Sequence, residues 1–240
     1  MTTAASDFRV MTSGAFTAAH LQLIPQLERI TQKKVVTVTT SVGTGETSIP
    51  NRLKRGEIVD IVIVADALLA QLIEEGLVMR DTRTSLARSS IALAVRAGAP
   101  KPDAGSAEAL KRTLLAAKSI AYSASVSGQY VTTELYQRLG IADECLPKSR
   151  LITGGERTGA VVARGEADIA FQQMSELLPV PGIAHITPLP PELQKVALFS
   201  AGVAATSSDP ALAREAIRFL ASAEAEAAIA KTGLEPLRDS

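Results

Sequence analysis

The amino-acid sequence predicts an α/β protein with two lobes, each an open and mostly parallel β-sheet flanked by helices. Strand-like and helix-like segments alternate along most of the 240 residues, which is the pattern of a parallel sheet with helical crossovers. Residues 60–66 (DIVIVAD) form a nearly continuous apolar run, as in a strand that is buried on both faces. Short loops rich in Ser, Gly and Thr follow several of the predicted strands.

The first part of the chain is predicted to contain three strand–helix pairs. A short strand at 8–12 precedes a helix in which Pro25 should bend the chain or end the first half of the helix. β-branched residues predict a strand at 35–40, and a second helix follows it. After the apolar run at 60–66, leucines at helical spacing predict a third helix, which stops at Gly76.

The middle of the chain repeats this alternation. A strand is predicted at 89–95, and Ser106 is a candidate N-cap for a helix over 107–118. After a strand at 120–122, Gly128 should open a helix that runs to residue 139. Further strands are predicted at 151–153, 167–171 and 183–187, with a helix ending at residue 164 after the first of them.

The last part of the chain is a long apolar strand followed by two helices. The strand is predicted over 196–205. Residues 207–210 (SSDP) indicate a helix start, because proline suits the first turn of a helix. Two Ala-rich helices, at 211–221 and 223–231, complete the chain.

Four loops at the carboxyl ends of predicted strands share a polar, Gly-containing composition. They are the loops 12–15, 41–46, 123–128 and 153–158. Ligands of open α/β sheets bind at these strand ends. Gly43 and Gly45 would let backbone N–H groups turn toward an anion, and Ser41 and Thr44 would add hydroxyl groups. The alternative for each loop taken alone is an ordinary strand-to-helix turn.

Two of these loops fall in each half of the chain, so a ligand cleft is expected between two lobes. Lobe 1 is expected to comprise residues 7–88 and 200–240, and lobe 2 residues 89–199. The long strands at 89–95 and 196–205 would be the two crossings, and a hinge there would close the cleft on its ligand.

The composition argues against several classes of function. Lys plus Arg and Asp plus Glu both number 25, which gives no support for a nucleic-acid or anionic-membrane partner. Cys145 is the only cysteine, and His20 and His185 are the only histidines, so no intrachain disulfide, metal site or cofactor is expected. No segment resembles a signal peptide or a membrane span. The protein is therefore expected to be periplasmic if a signal peptide was removed, and cytoplasmic otherwise.

Several segments together resemble the type II periplasmic solute-binding proteins, in the branch similar to molybdate-binding proteins. The resemblance extends over nearly the whole chain, and its most specific parts are the Ser13-Gly14 turn and residues 56–66, 164–169, 208–210 and 216–220. It implies two lobes joined by a two-segment hinge, with an anion held by hydroxyls and backbone amides. A small anionic ligand, a membrane ABC transporter as partner and a monomeric state are further expectations.

The resemblance also places the candidate ligand-binding residues. Molybdate binders use two serine-containing loops of the first lobe, and a loop–helix start and a backbone amide of the second. The candidate set in this chain is Ser13, Gly14, Ser41, Gly43, Thr44, Gly45, Ser127, Gly128, Gly155, Arg157 and Gln173.

This chain departs from molybdate binders at two places. Gln172 or Gln173 takes the position of a tyrosine, and Glu156 and Arg157 occupy a loop that is uncharged in molybdate binders. An arginine offers a flat two-pronged donor that matches a carboxylate, so an organic acid is favoured over a molybdate-type oxyanion. The alternatives are a solvated helix-start residue for Arg157 and strand-end surface polarity for the two glutamines.

Aconitate isomerase resembles the same family, so the sequence leaves two functions open. Solute binding without chemistry is favoured, and isomerisation of an unsaturated polycarboxylate is the alternative. The isomerase needs an acid/base group within hydrogen-bond reach of its substrate, and the candidates are Glu46, Glu156, Tyr130 and His20. Packing roles compete for Tyr130 and His20, and helix capping competes for Glu46. An effector-sensing domain is a third class, but a DNA-binding helix-turn-helix segment is missing.

Overall fold

The computed structural model describes residues 7–38 and 45–237 of the chain. The strands are β1 (Phe8–Thr12), β2 (Val35–Val38), β3 (Ile61–Ala65), β4 (Thr84–Ser89), β5 (Ile91–Arg96), β6 (Ile120–Ser123), β7 (Ser149–Ile152), β8 (Ile169–Gln173), β9 (Ile183–Pro188), β10 (Ala197–Val203) and β11 (Glu235–Pro236). The α-helices are α1 (Gly14–Thr31), α2 (Ile49–Lys54), α3 (Asp66–Glu74), α4 (Ala107–Ala116), α5 (Val126–Tyr130), α6 (Tyr136–Leu139), α7 (Ala142–Cys145), α8 (Thr158–Ala163), α9 (Met174–Leu177), α10 (Pro210–Leu220) and α11 (Ala223–Ala230). A π-helical turn, Val131–Leu135, joins α5 to α6, and short 3₁₀ turns occur at Arg80–Thr82, Leu146–Lys148 and Pro191–Leu193.

The described residues fall into two compact units. Unit 1 combines the residues up to Arg88 with those from Leu198 onward, and unit 2 is the continuous stretch Ser89–Ala197. The chain therefore passes from one unit to the other twice. The hinge and the ligand cleft stay predictions.

Unit 1 is built on a six-stranded sheet with the order β11-β4-β10-β3-β1-β2. β1 runs parallel to both β2 and β3, and β10 is antiparallel to β3. Every residue from Ile61 to Val64 in β3 is fully buried, as the apolar run in the sequence predicts. Helix α1 covers this sheet with the fully buried Phe16, Leu23 and Leu27.

Unit 2 is built on a five-stranded sheet with the order β7-β6-β8-β5-β9. β6 runs parallel to β7 and β8, and β5 is antiparallel to β8 and β9. One face packs against α4 and the helical segment from α5 to α7, where Tyr136 is fully buried. The other face packs against α8 and α9 through Val161, Val162 and Leu177.

The predicted α/β fold class is confirmed, although each sheet is mixed rather than mostly parallel. The strands joined by helical crossovers, such as β1 to β2 and β6 to β7, are parallel as expected. The antiparallel pairs involve β4, β5 or β10, the strands next to the two passages between the units. A strand that enters a sheet from outside has no crossover helix to hold it parallel to its neighbour.

Local expectations at three places need correction. Of the two outcomes expected at Pro25, an end to the helix does not occur, since α1 runs on to Thr31; a proline removes only one N–H donor, and the buried face of the helix is long. Gly128 lies in the first turn of α5, which already begins at Val126. Strand β4 is absent from the predicted strands, since its sequence (TSLARS) has polar residues on both faces.

Two predicted helix starts are confirmed. The Ser106 hydroxyl accepts a hydrogen bond from the Ala109 N–H at 3.2 Å, and the Asp209 carboxylate accepts one from the Leu212 N–H at 3.1 Å. Each such cap is worth about 1 kcal/mol. In the part of the chain that the structure describes, no helix has the length and apolar character needed to cross a membrane.

Candidate functional site

Three loops of unit 2 leave the same edge of its sheet. β6 is parallel to β7 on one side and to β8 on the other, so the segments that follow these three strands emerge at one edge, where α/β proteins bind ligands. These segments contain five of the predicted ligand-binding residues: Ser127, Gly128, Gly155, Arg157 and Gln173. The structure therefore brings the unit 2 candidates to one edge of one sheet.

The loop after β6 is a tight turn with a chain of hydroxyl groups. The Ser125 hydroxyl lies 2.7 Å from that of Ser123 and 2.9 Å from that of Ser127. A Cβ atom on Gly128 would lie 1.7 Å from the carbonyl oxygen of Ser123, which is a severe overlap with backbone. Only glycine fits this position, and its absence of a side chain lets the helix start approach the strand end.

A buried network of side chains joins the loops that follow β7 and β8. The amide oxygen of Gln172 accepts two hydrogen bonds from Thr158, from the hydroxyl at 2.7 Å and from the backbone N–H at 3.2 Å. Since the Thr158 N–H needs an acceptor, the amide nitrogen of Gln172 must point the other way. The Gln172 side chain and the Gln173 backbone N–H in turn act on the carboxyl of Glu176 and favour its ionised form.

Glu176 is a deeply buried carboxyl group of unit 2. Its side chain is only 5% exposed. Burial raises the pKa of Glu176 to about 7, although the nearby charge of Arg157 and the bonds from Gln172 and Gln173 act in the opposite direction. Both protonation states of this carboxyl are therefore populated near neutral pH, which is the property that a general acid/base needs.

Two polar atoms beside this network are buried without a partner. The Gln173 amide oxygen and the Ser175 hydroxyl find no hydrogen-bond partner within residues 7–38 and 45–237. Gln173 is 3% exposed and Ser175 is fully buried. A buried polar group that makes no hydrogen bond costs about 1–3 kcal/mol, so these two atoms point to a missing donor or acceptor at this edge.

The other unit 2 candidates have different surroundings. Glu156 is exposed and pairs with Arg164 at 2.7 Å. Gly155 is exposed, with a φ of 81° that favours glycine. Tyr130 is buried in the apolar cluster beneath the sheet, and its hydroxyl donates to the carbonyl of Leu193 at 2.5 Å. The Tyr130 hydroxyl thus already has a structural partner.

Unit 1 offers a smaller described site. Ser13 follows β1, its N–H donates to the Ile63 carbonyl at 2.9 Å, and its hydroxyl is buried with no partner among the described residues. Gly14 is the first residue of α1. Ser41, Gly43 and Thr44 lie outside the described residues.

Of the remaining unit 1 candidates, Gly45 and Glu46 are exposed to solvent and His20 is buried. Gly45 is exposed, and its carbonyl accepts from the Ser48 N–H at 2.9 Å. Glu46 is exposed, and its backbone carbonyl accepts from Arg55 at 2.7 Å. His20 is fully buried, with its Nε2 atom 3.0 Å from the Thr37 hydroxyl. Burial lowers the pKa of His20 to about 4, so its imidazole is neutral at neutral pH.

Comparison with known proteins assigns the family. The family model described as "Bacterial extracellular solute-binding protein" matches residues 8–235. The chain belongs to this family. The family resemblance seen in the sequence is thereby confirmed.

Individual relatives of this solute-binding protein differ in what their names say they bind or convert. The chain is 41% identical to a protein named aconitate isomerase from Pseudomonas sp, over 229 residues that cover 95% of this chain and 87% of the relative. Its fold is similar to that of the periplasmic molybdate-binding protein of Azotobacter vinelandii, with a TM-score of 0.75, 18% identity, and 98% and 100% of the two chains covered. It is also similar to a periplasmic thiamin-binding protein, with a TM-score of 0.71, 16% identity, and 97% and 84% covered.

The network around Glu176 goes beyond the residues singled out from the sequence. Glu176, Thr158 and Ser175 were not among the predicted site residues. One signal is present in the sequence: Glu176 stands three residues after Gln173, the N-cap of α9, which is the spacing of a capping box. The usual Ser or Thr is replaced by Gln, so the pattern is hard to see.

The unit 2 edge combines hydroxyl groups, backbone N–H groups and the buried carboxyl of Glu176. Hydroxyls and backbone amides at the unit 2 edge suit the oxygen atoms of an anion, and Arg157 suits a carboxylate. Residues 7–38 and 45–237 contain no group of three or more His, Cys, Asp or Glu placed to hold a metal ion. The chemistry open to this edge is therefore anion binding, with proton transfer where Glu176 takes part.

Proposed function

We propose that the protein isomerises an unsaturated polycarboxylate of the aconitate type by an allylic proton shift. The observation that carries the proposal is the 41% identity to a protein named aconitate isomerase, which extends over 95% of this chain. With 229 of 240 residues matched, the match includes parts of both units. The fold neighbours are less than 20% identical and support the fold only.

The chemistry of such a reaction fits the groups at the unit 2 edge. Aconitate has three backbone carbons that each carry a carboxylate, with a double bond between two of them. Removing a proton from the saturated carbon and returning one to the far alkene carbon moves the double bond and interconverts the cis and trans forms. The step needs donors that stabilise negative charge on the carboxylates as the proton leaves, and a group that exchanges protons near neutral pH.

Arg157 is the proposed anchor for one substrate carboxylate. It is the N-cap of α8, is partly buried and stands next to Glu156 in the loop after β7. An arginine–carboxylate pair is directional and charge-assisted. Ser127, Gly128 and Gln173 are proposed to bind further oxygen atoms from the neighbouring loops.

A proton NMR time course tests this function. The protein at catalytic concentration is mixed with cis-aconitate, and separately with trans-aconitate. We expect the vinyl signal of the other isomer to appear in each sample and both samples to reach one ratio. Heat-unfolded protein is the control. If neither isomer converts, and none of a panel of related unsaturated di- and tricarboxylates converts, the isomerase proposal is wrong.

Binding of a small anion without conversion is the second candidate, favoured by the family match. In that role the protein would act in the periplasm and deliver its ligand to a membrane ABC transporter. Unchanged substrate peaks that broaden with added protein would support this role, and a carboxylate would be its ligand. If no carboxylate broadens, molybdate, tungstate and sulfate are the next probes, read by thermal shift.

A further inference from the structure

We infer that Glu176 is the catalytic residue that carries the proton in this isomerisation, with Gln172 as the positioning residue that fixes its carboxylate. The inference rests on the proposed function and deepens it by naming the acid/base. Glu176 lies one turn beyond the carboxyl end of β8, at the edge of the sheet where the loops after β6 and β7 also emerge. No other carboxylate among the described residues of unit 2 is as deeply buried.

Neighbouring groups act directly on the Glu176 carboxyl. The backbone N–H of Thr158 donates to the Gln172 amide oxygen at 3.2 Å, and the Thr158 hydroxyl lies 2.7 Å from the same oxygen. The Gln172 amide nitrogen therefore faces away from Thr158. The charge of Arg157, the Gln172 side chain and the Gln173 N–H all act to lower the pKa of Glu176, against the larger effect of burial. These groups favour the ionised carboxylate, which is the form that takes a proton from the substrate.

The unpartnered atoms beside Glu176 are an independent indication of a ligand. The Gln173 amide oxygen and the Ser175 hydroxyl belong to residues three and one positions before Glu176, and both are buried without a hydrogen-bond partner among the described residues. A hydroxyl can donate to a substrate carboxylate, and an amide oxygen can accept from a bound water or from a protonated acid. A capping role for Glu176 alone would not explain why two neighbouring buried groups have no partner.

The proton candidates taken from the sequence are less suited to the role. Glu156 is exposed and bound to Arg164, and the Tyr130 hydroxyl donates to a backbone carbonyl. Glu46 is exposed. His20 lies against Thr37 in unit 1, with a pKa that burial lowers to about 4, so it holds almost no protons at neutral pH.

The step is balanced without a co-reactant. The ionised Glu176 takes a proton from the saturated carbon of the substrate, and the electron pair of that C–H bond becomes the new double bond. The old double bond supplies the pair that forms a C–H bond at the far carbon, and Glu176 returns its proton there. The burial that raises the pKa of Glu176 to about 7 also keeps solvent water away from it.

Substitution of Glu176 tests the assignment. In Glu176→Gln we expect kcat for aconitate isomerisation to fall by about a hundredfold or more. Binding of the saturated tricarboxylate analogue, which cannot isomerise, should stay within a few-fold of wild type. Glu166→Gln is the matched control, because Glu166 is an exposed unit 2 glutamate paired with Arg164, and it should keep full activity. Circular dichroism checks that both variants fold.

Four further readouts separate proton transfer from a structural role. The kcat of wild type should rise with pH through a pKa close to 7. Glu176→Asp should keep partial activity, and the pKa seen in its pH–kcat profile should differ from that of wild type. The charge that acts on Glu176 is that of Arg157, so Arg157→Lys should keep the pKa of the pH–kcat profile closer to that of wild type than Arg157→Ala does. Thr158→Val removes the hydroxyl beside the Gln172 amide oxygen and keeps the backbone N–H bond. This variant should lower kcat and move the pKa of the pH–kcat profile, whereas Thr158→Ser should leave both close to wild type. In D₂O the first product should contain less than one deuterium per turnover, because the carrier is buried.

The outcomes distinguish this inference from the proposed function. If wild type is active and Glu176→Gln keeps more than one-tenth of the wild-type kcat, the inference is overturned and the proposed function stands. Complete deuterium incorporation from the first turnover would also contradict a single buried carrier. Wild type that binds the saturated analogue but converts no unsaturated acid would overturn the function, and the inference with it.

Discussion

Two buried ionisable groups should act on stability in opposite directions as the pH falls from about 8 to about 5. His20 in unit 1 has a pKa that burial lowers to about 4, against about 6.5 for a histidine in an unfolded chain. Between these two pKa values, His20 is mostly protonated in the unfolded protein and mostly neutral in the folded protein. Stability that depends on neutral His20 is present above pH 6.5 and is lost as the pH falls toward 4.

Glu176 in unit 2 has the opposite sign. Burial raises its pKa to about 7, against about 4.3 in an unfolded chain. Folded protein therefore binds a proton at Glu176 that unfolded protein releases. Its stabilising contribution is complete below about pH 4 and is lost as the pH rises through 7.

The magnitudes follow from about 1.4 kcal/mol per pKa unit. At pH 5, unfolded His20 is almost fully protonated and folded His20 about one-tenth protonated, so the free energy of unfolding is lower by about 2 kcal/mol than at pH 8. Over the same pH interval, protonation of Glu176 should raise the free energy of unfolding by about 2.5 kcal/mol. The two effects nearly cancel, so wild type should be almost flat in stability between these pH values.

Urea unfolding at several pH values measures each effect. From pH 8 to pH 5, the free energy of unfolding of His20→Gln should rise by about 2 kcal/mol or more. Over the same range, the free energy of unfolding of Glu176→Gln should fall by about 2 kcal/mol. Comparing each variant with itself removes any constant cost of the substitution. Circular dichroism reports both units, while fluorescence of the three tyrosines, Tyr122, Tyr130 and Tyr136, reports unit 2.

The lower limit of about pH 5 keeps other carboxylates out of the measurement. Arg83 holds the pKa of Asp66 below its usual range, and Arg52 does the same for Glu57. Such groups lose their stabilising effect only as the pH falls through the usual carboxylate range, near 4, and below it. Two variants with the same pH dependence as wild type would refute the reasoning, because they would show that neither group is buried as described.

Two further predictions concern single residues of the unit 2 loops. Arg157→Ala should weaken binding of the saturated tricarboxylate analogue several-fold or more in calorimetry, since it removes a charge-assisted pair; unchanged affinity for every anion tested would show that Arg157 does not touch the ligand. Gly128→Ala should lower the free energy of unfolding by about 2 kcal/mol or more, because its Cβ would overlap the Ser123 carbonyl oxygen. Gly105→Ala is the control for the second, with its nearest neighbour 3.9 Å away, and equal urea midpoints for the two variants would contradict the close approach.

Much of the fold was predictable from local patterns. The buried strand β3 follows from an uninterrupted apolar run, and the start of α10 follows from an Asp–Pro pair, because both depend on short-range chemistry. The loops after β6 and β7 are recognisable for the same reason, since glycine and serine mark strand-to-helix turns. Residues such as Ser127 and Arg157 could therefore be singled out from the sequence.

The rest depends on packing that no local pattern encodes. The pKa of Glu176 is a property of the α8 and β8 residues that enclose it, and those residues stand up to 19 positions earlier, at Arg157. Strand β4 is polar in sequence, and it becomes a strand because neighbouring strands supply its hydrogen bonds. The continuous helix through Pro25 likewise reflects the apolar face on either side of that residue.

The position of β10 in the unit 1 sheet has a consequence for biosynthesis. β10 lies between β3 and β4, yet it follows the whole of unit 2 in the chain. A nascent polypeptide can complete unit 2 as soon as Ala197 has emerged from the ribosome, whereas the earlier strands must wait with unpaired edges for their central neighbour. Exposed strand edges invite aggregation. The interval between synthesis of β4 and synthesis of β10 is therefore when the newly made chain most needs a chaperone.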